Sequence, residues 1–70
     1  MTAAEWIQAY CDEIGISAPT EDETDAVLRL AAIAAHASER TAAPIACWLG
    51  GRAGKPLREL IEAAEGLSSS

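Results

Sequence analysis

The sequence predicts an all-α fold, a compact bundle of four short helices with the second helix at its centre. Three observations predict it. Sixteen of the 70 residues are alanine, the residue with the highest intrinsic helix propensity. Apolar residues recur at three- and four-residue spacing in four stretches, the period of a helix with one buried face. Helix-starting and helix-stopping residues separate those stretches: two Thr-x-x-Glu boxes, and Gly or Pro at the breaks.

The first helix is expected over about Ala3–Ile14. Thr2 and Glu5 have the spacing of a capping box, in which hydroxyl and carboxylate satisfy free N–H groups reciprocally. Trp6, Ile7, Tyr10, Cys11 and Ile14 share one sector, with Glu5, Gln8, Asp12 and Glu13 outside it. Gly15 supplies a left-handed stop, and Ile16 folds back on the last turn. Residues 17–23 form a polar connection. Thr20 and Glu23 repeat the capping spacing, and Thr24 is a second candidate cap. The acids here suit the positive end of a helix dipole, and the Asp-x-Asp-x-Asp-Gly run of a calcium loop is absent.

The second helix is expected over about Asp25–Arg40. Val27, Leu30, Ala31, Ala34 and Ser38 form one face, flanked by Leu28 and Ala35. Ile33 falls opposite, with Arg29, His36 and Arg40. A helix apolar around most of its circumference is the central one of a bundle. Thr41 to Pro44 break it, and Pro44 suits the first turn of a third helix ending near Ala53. That helix directs Ile45, Ala46, Leu49 and Ala53 inward. Trp48 and Arg52, four apart, place a guanidinium on an indole. Gly50 and Gly51 cost a helix up to about 1 kcal/mol each, which points to close helix contact or early fraying. Gly54-Lys55-Pro56 opens a fourth helix, about Pro56–Glu65, with Leu57, Leu60, Ile61 and Ala64 buried. Gly66 stops it, and Leu67 staples the end. One domain, residues 1–67, is expected, with residues 68–70 as a disordered tail.

The net charge of −6 is unevenly distributed. Residues 1–25 carry seven acids and no base. Residues 26–58 carry all five bases and only Glu39. Residues 59–70 add three acids. Mutual neutralisation between packed helices explains this pattern, and a local anion site in the middle segment is the sharper reading. Net acidity opposes the counterion release that drives nucleic-acid binding, so no nucleic-acid partner is expected. No apolar run approaches the ~20 residues of a membrane span. The opening Met1-Thr2-Ala3-Ala4-Glu5 has no basic start or apolar stretch of a secretory leader, so a cytoplasmic location is expected. There Cys11 and Cys47 are small buried thiols rather than a disulfide.

Catalytic motifs are weak or broken, and a chain this short has little room for a substrate cavity. Gly50-Gly51-Arg52-Ala53-Gly54-Lys55 resembles a phosphate-binding loop. It has Leu49 where the first glycine belongs and Pro56 where the magnesium-binding hydroxyl belongs. His36, Cys11 and Cys47 lack zinc-ligand spacing and supply only three donors. The Asp-Ser-Leu attachment site of acyl carrier proteins is missing. No catalytic residue, metal or cofactor is therefore expected. His36 and Arg40, at i and i+4, read as C-terminal caps of the second helix.

Two stretches carry a family resemblance. One is Trp6-x₃-Tyr10-Cys11-x₂-Ile14-Gly15-Ile16. The other is Val27-Leu28-x-Leu30-Ala31, continuing through Ala35-His36-x₃-Arg40-x₂-Ala43-Pro44-Ile45. Together, over residues 5–54, they resemble an uncharacterised small helical domain of high-GC bacteria. That domain stands alone or is fused to molybdenum cofactor guanylyltransferase (molybdopterin-guanine dinucleotide biosynthesis protein A). Gly50-Gly51 departs from its pattern, where larger apolar residues are usual. The resemblance implies a non-catalytic accessory or interaction module associated with molybdenum cofactor biosynthesis, with such a guanylyltransferase as protein partner. The alternative is a small-ligand domain in which His36, Arg40 and Arg52 receive a phosphate or pterin. A third expectation is self-association through Trp48 or Ile33.

Overall fold

The computed structural model describes residues 1–69. It shows the expected all-α bundle: α1 (Ala3–Ile14), α2 (Glu21–Ala37), α3 (Ala42–Ala53) and α4 (Leu57–Ser68). Helix α2 is central, packing against both α3 and α4. No helix is long and apolar enough to cross a membrane among the described residues.

Both capping boxes form. The Glu5 N–H donates to Thr2 Oγ1 at 3.1 Å, and Glu5 Oε1 accepts from the Thr2 N–H at 2.7 Å. Thr20 and Glu23 repeat the pair at 3.1 and 2.8 Å. Helix α2 therefore begins at Glu21, a turn earlier than Asp25, because the first of the two candidate caps is used. Gly15 closes α1 in the left-handed conformation, φ +81°. Its N–H and that of Ile16 both donate to the Cys11 carbonyl, which is the fold-back expected of Ile16.

Three further boundaries differ from expectation. Helix α2 ends at Ala37 rather than Arg40. Both the N–H and the Oγ of Ser38 donate to the Ala34 carbonyl, at 3.2 and 2.8 Å, and Ser38 then leaves helical geometry. Helix α3 starts at Ala42, two residues before Pro44. The N–H groups of Ala42 and Ala43 are satisfied by the carbonyls of Glu39 and Arg40, and Pro44 needs no bond in a first turn. Helix α4 runs through Gly66 to Ser68 instead of stopping at the glycine. Its last turn is tied by Ser68 Oγ to the Ala64 carbonyl at 2.8 Å and by the Ser69 N–H to the Glu65 carbonyl. Of the expected tail, Ser70 lies outside the described residues.

The core is small. Leu30 on α2 and Cys11 on α1 are the buried apolar side chains, each 5% exposed. Val27, Ile33, Ala34, Ala46, Cys47, Leu57, Leu60, Ile61 and Ala64 are half-buried. Ile33 was expected opposite the core. It instead lines an inner cleft with Leu30 and Ala34, because α2 serves two neighbours and buries a wide arc. An exposed ion pair, Arg29 with Glu65, joins α2 to α4. Pairs of this kind contribute less than about 1 kcal/mol.

Candidate functional site

Helix α3 presents its residues in an unusual order of size. The positions facing α2 and α4 are Ala43, Ala46, Cys47 and Gly50, all small and spaced three or four apart. Gly50 is buried. A Cβ added there would lie 2.9 Å from Leu60 Cδ1 and 3.6 Å from Leu30 Cδ2. Glycine thus lets α3 sit close to both helices. Burial raises the pKa of the Cys47 thiol, and its Sγ lies 3.8 Å from the Val27 carbonyl, a weak S–H donor contact.

This packing corrects the inward set expected for α3. Ala46 faces inward, but Ile45, Leu49 and Ala53 are exposed. Small residues permit the closest helix approach, so Ile45 and Trp48 are left on the far side, with Leu49 at its margin beside a cavity it shares with Leu30 and Leu60. There Ile45, Trp48 and Leu49 form an outer apolar strip. Trp48 is 63% exposed, and the Arg52 guanidinium lies 4.9 Å from its ring centroid, as the i, i+4 spacing predicts. Contacts of this kind are worth about 0.5–1 kcal/mol at exposed sites.

Helix α1 carries a second apolar strip. Trp6 and Tyr10 stack with centroids 5.1 Å apart and planes at 17°, and Ile7 and Ile14 flank them. All four are exposed, and Cys11 is the one buried residue of the helix. Between α1 and α2 lies a cleft of about 470 Å³, lined by Ala3, Ile7, Pro19 and Leu28 among others. Glu5 titrates below its ordinary value because it accepts the Thr2 backbone and side-chain hydrogen bonds.

The expected site residues do not converge. His36 is exposed in the last turn of α2. Arg40 lies beyond the end of that helix, so the shared helical face is not formed. The cap role expected for them falls to Ser38. Arg40 contributes its backbone carbonyl to the start of α3. Neither side chain makes a hydrogen bond or ion pair among the described residues. Trp48 and Arg52 do come together. None of His36, Arg40, Trp48 and Arg52 lines the inner cleft of about 500 Å³, whose walls are Leu30, Ile33, Ala34, Ala46, Ala64 and Leu67 with their neighbours. Among the described residues, no three His, Cys, Asp or Glu side chains gather as metal ligands would.

Of the apolar sector read on α1, Cys11 is buried as expected, while Trp6, Ile7, Tyr10 and Ile14 are exposed. The close helix contact expected at Gly50-Gly51 is found at Gly50, but the full small inward face, Ala43-x₂-Ala46-Cys47-x₂-Gly50, was not anticipated although its spacing is readable. No curated protein and no solved structure matches the chain. A family match does exist, and it spans residues 1–69, beyond the 5–54 stretch on which the resemblance rested. The chain belongs to that family, which is described as a domain of unknown function (DUF6457).

Proposed function

We propose that this domain is a non-catalytic accessory module that works by binding another protein surface. One observation carries the reading: α3 turns Ile45, Trp48 and Leu49 outward while burying alanine and glycine. Contiguous exposed apolar side chains mark interaction surfaces, and Trp and Arg are the residue types most enriched at binding hot spots. The Trp48–Arg52 pair is therefore the centre of the proposed contact. The resemblance over residues 5–54 supplies the partner class, a molybdenum cofactor guanylyltransferase. A cytoplasmic setting suits both that partner and two free thiols.

Capture of a purified guanylyltransferase by the domain tests this. Trp48→Glu should abolish capture while leaving helicity intact, since the side chain is exposed. Equal capture by the variant, or none by the parent domain, overturns the proposal. The competing ligand reading predicts a thermal shift with nucleotides or pterins, lost in Arg40→Ala. A site filled at 100 Kd stabilises by about 2.7 kcal/mol. The interaction reading predicts no shift with any of them.

A further inference from the structure

We infer that the two exposed apolar strips are covered by a second copy of this chain, with α1 of each copy lying on α3 of the other. This goes beyond the reading above, because a second copy would compete with any other partner for the α3 strip. The first support is area. A compact monomer of 7.3 kDa exposes about 4,200 Å² by the usual scaling of surface with mass, whereas this chain exposes 5518 Å². The excess is somewhat larger than the ~800 Å² per partner of a standard interface. Part of it reflects α1, which packs less extensively than the other three helices, in a molecule with principal extents of 40 × 23 × 18 Å.

The second support is complementarity within the one sequence. The α1 strip of Trp6, Tyr10 and Ile14 is bordered by Glu13, and α1 carries acids and no base. The α3 strip contains Arg52, and α3 carries no acid. Pairing α1 with α1 of a second copy would set acid against acid. Pairing α1 with α3 sets Glu13 beside Arg52 and the Trp6–Tyr10 stack against Trp48. Repeated about a two-fold axis, that contact would hide both strips on both copies and close the assembly.

Sedimentation of the full chain from low micromolar to near-millimolar concentration, with tryptophan emission followed in parallel, tests the inference. A monomer–dimer equilibrium is expected, with emission moving to shorter wavelength as Trp6 and Trp48 leave water. Trp48→Glu should weaken the dimer at least about thirtyfold. Glu13→Arg and Arg52→Glu should each weaken it about tenfold through like-charge contacts, and the double swap should recover most of that loss. Circular dichroism establishes that each variant is folded, and Arg52→Ala serves if Arg52→Glu is not. A chain that stays monomeric throughout overturns the inference. So does a dimer indifferent to these substitutions, or a monomer whose tryptophans are already shielded. Capture of a guanylyltransferase by a strict monomer would leave the interaction reading standing and remove only the second copy.

Discussion

Gly50 and Gly51 are neighbours on α3 with opposite surroundings. Nothing lies within 4 Å of a Cβ placed on Gly51, while one on Gly50 meets Leu60. Gly51→Ala should therefore stabilise by the full helix-propensity gain, about 0.5–1 kcal/mol. Gly50→Ala should gain less, because Leu60 must move, and Gly50→Leu should cost about 1–3 kcal/mol from overpacking. Urea denaturation reads all three, and equal gains for the two alanine variants would contradict the close approach. Glu5 offers a pH test. Its carboxyl is held below the ordinary value by Thr2, so its capping contribution is complete above that ordinary value. The contribution is lost as pH falls through the lowered one. Parent α1 should lose helicity in acid over that window, and Glu5→Gln should lose less. Both capping boxes were legible in the sequence, since three-residue spacing fixes the partners locally. The end of α2 was not, because His36 and Arg40 offered a plausible cap and Ser38 took the role through a bond to Ala34.

At the scale of elements, four helices and a central α2 followed from periodicity and punctuation alone. The orientation of α3 did not follow, and the reason is physical. Hydrophobicity ranks Ile45 and Leu49 above Ala43 and Gly50 as core residues, but packing distance rewards small volume when three helices meet. Gly66 misled for a related reason: glycine permits a stop without imposing one, and here it sits within α4 with nothing near it. Gly15 and Gly54 do adopt the left-handed conformation, φ +81° and +68°. Gly15→Ala and Gly54→Ala should each cost about 1–2 kcal/mol. Gly66→Ala should be neutral or stabilising. Thermal melts of the three variants check the ordering.

For the whole molecule, stability rests on few buried side chains. Leu30 touches the space shared by α2, α3 and α4, so Leu30→Ala should cost about 2–5 kcal/mol. Leu28→Ala, two residues away on the opposite side of the helix and exposed, should cost well under that. A measured cost for Leu28 equal to that for Leu30 would mean the core lies elsewhere. The candidate site was half legible. The Trp48–Arg52 pair followed from i, i+4 spacing, whereas its prominence depends on which side of α3 faces inward, a property of the assembled helices. The sparse packing of α1 has a further consequence. Helices of this length are marginal alone in water, and α1 is twelve residues with one buried side chain. Its amides should exchange with deuterium orders of magnitude faster than those around Leu30 in dilute solution. The same amides should become slow at high concentration, so that a helix which is the first to open in isolation becomes a sensor of how crowded the chain is by its own kind.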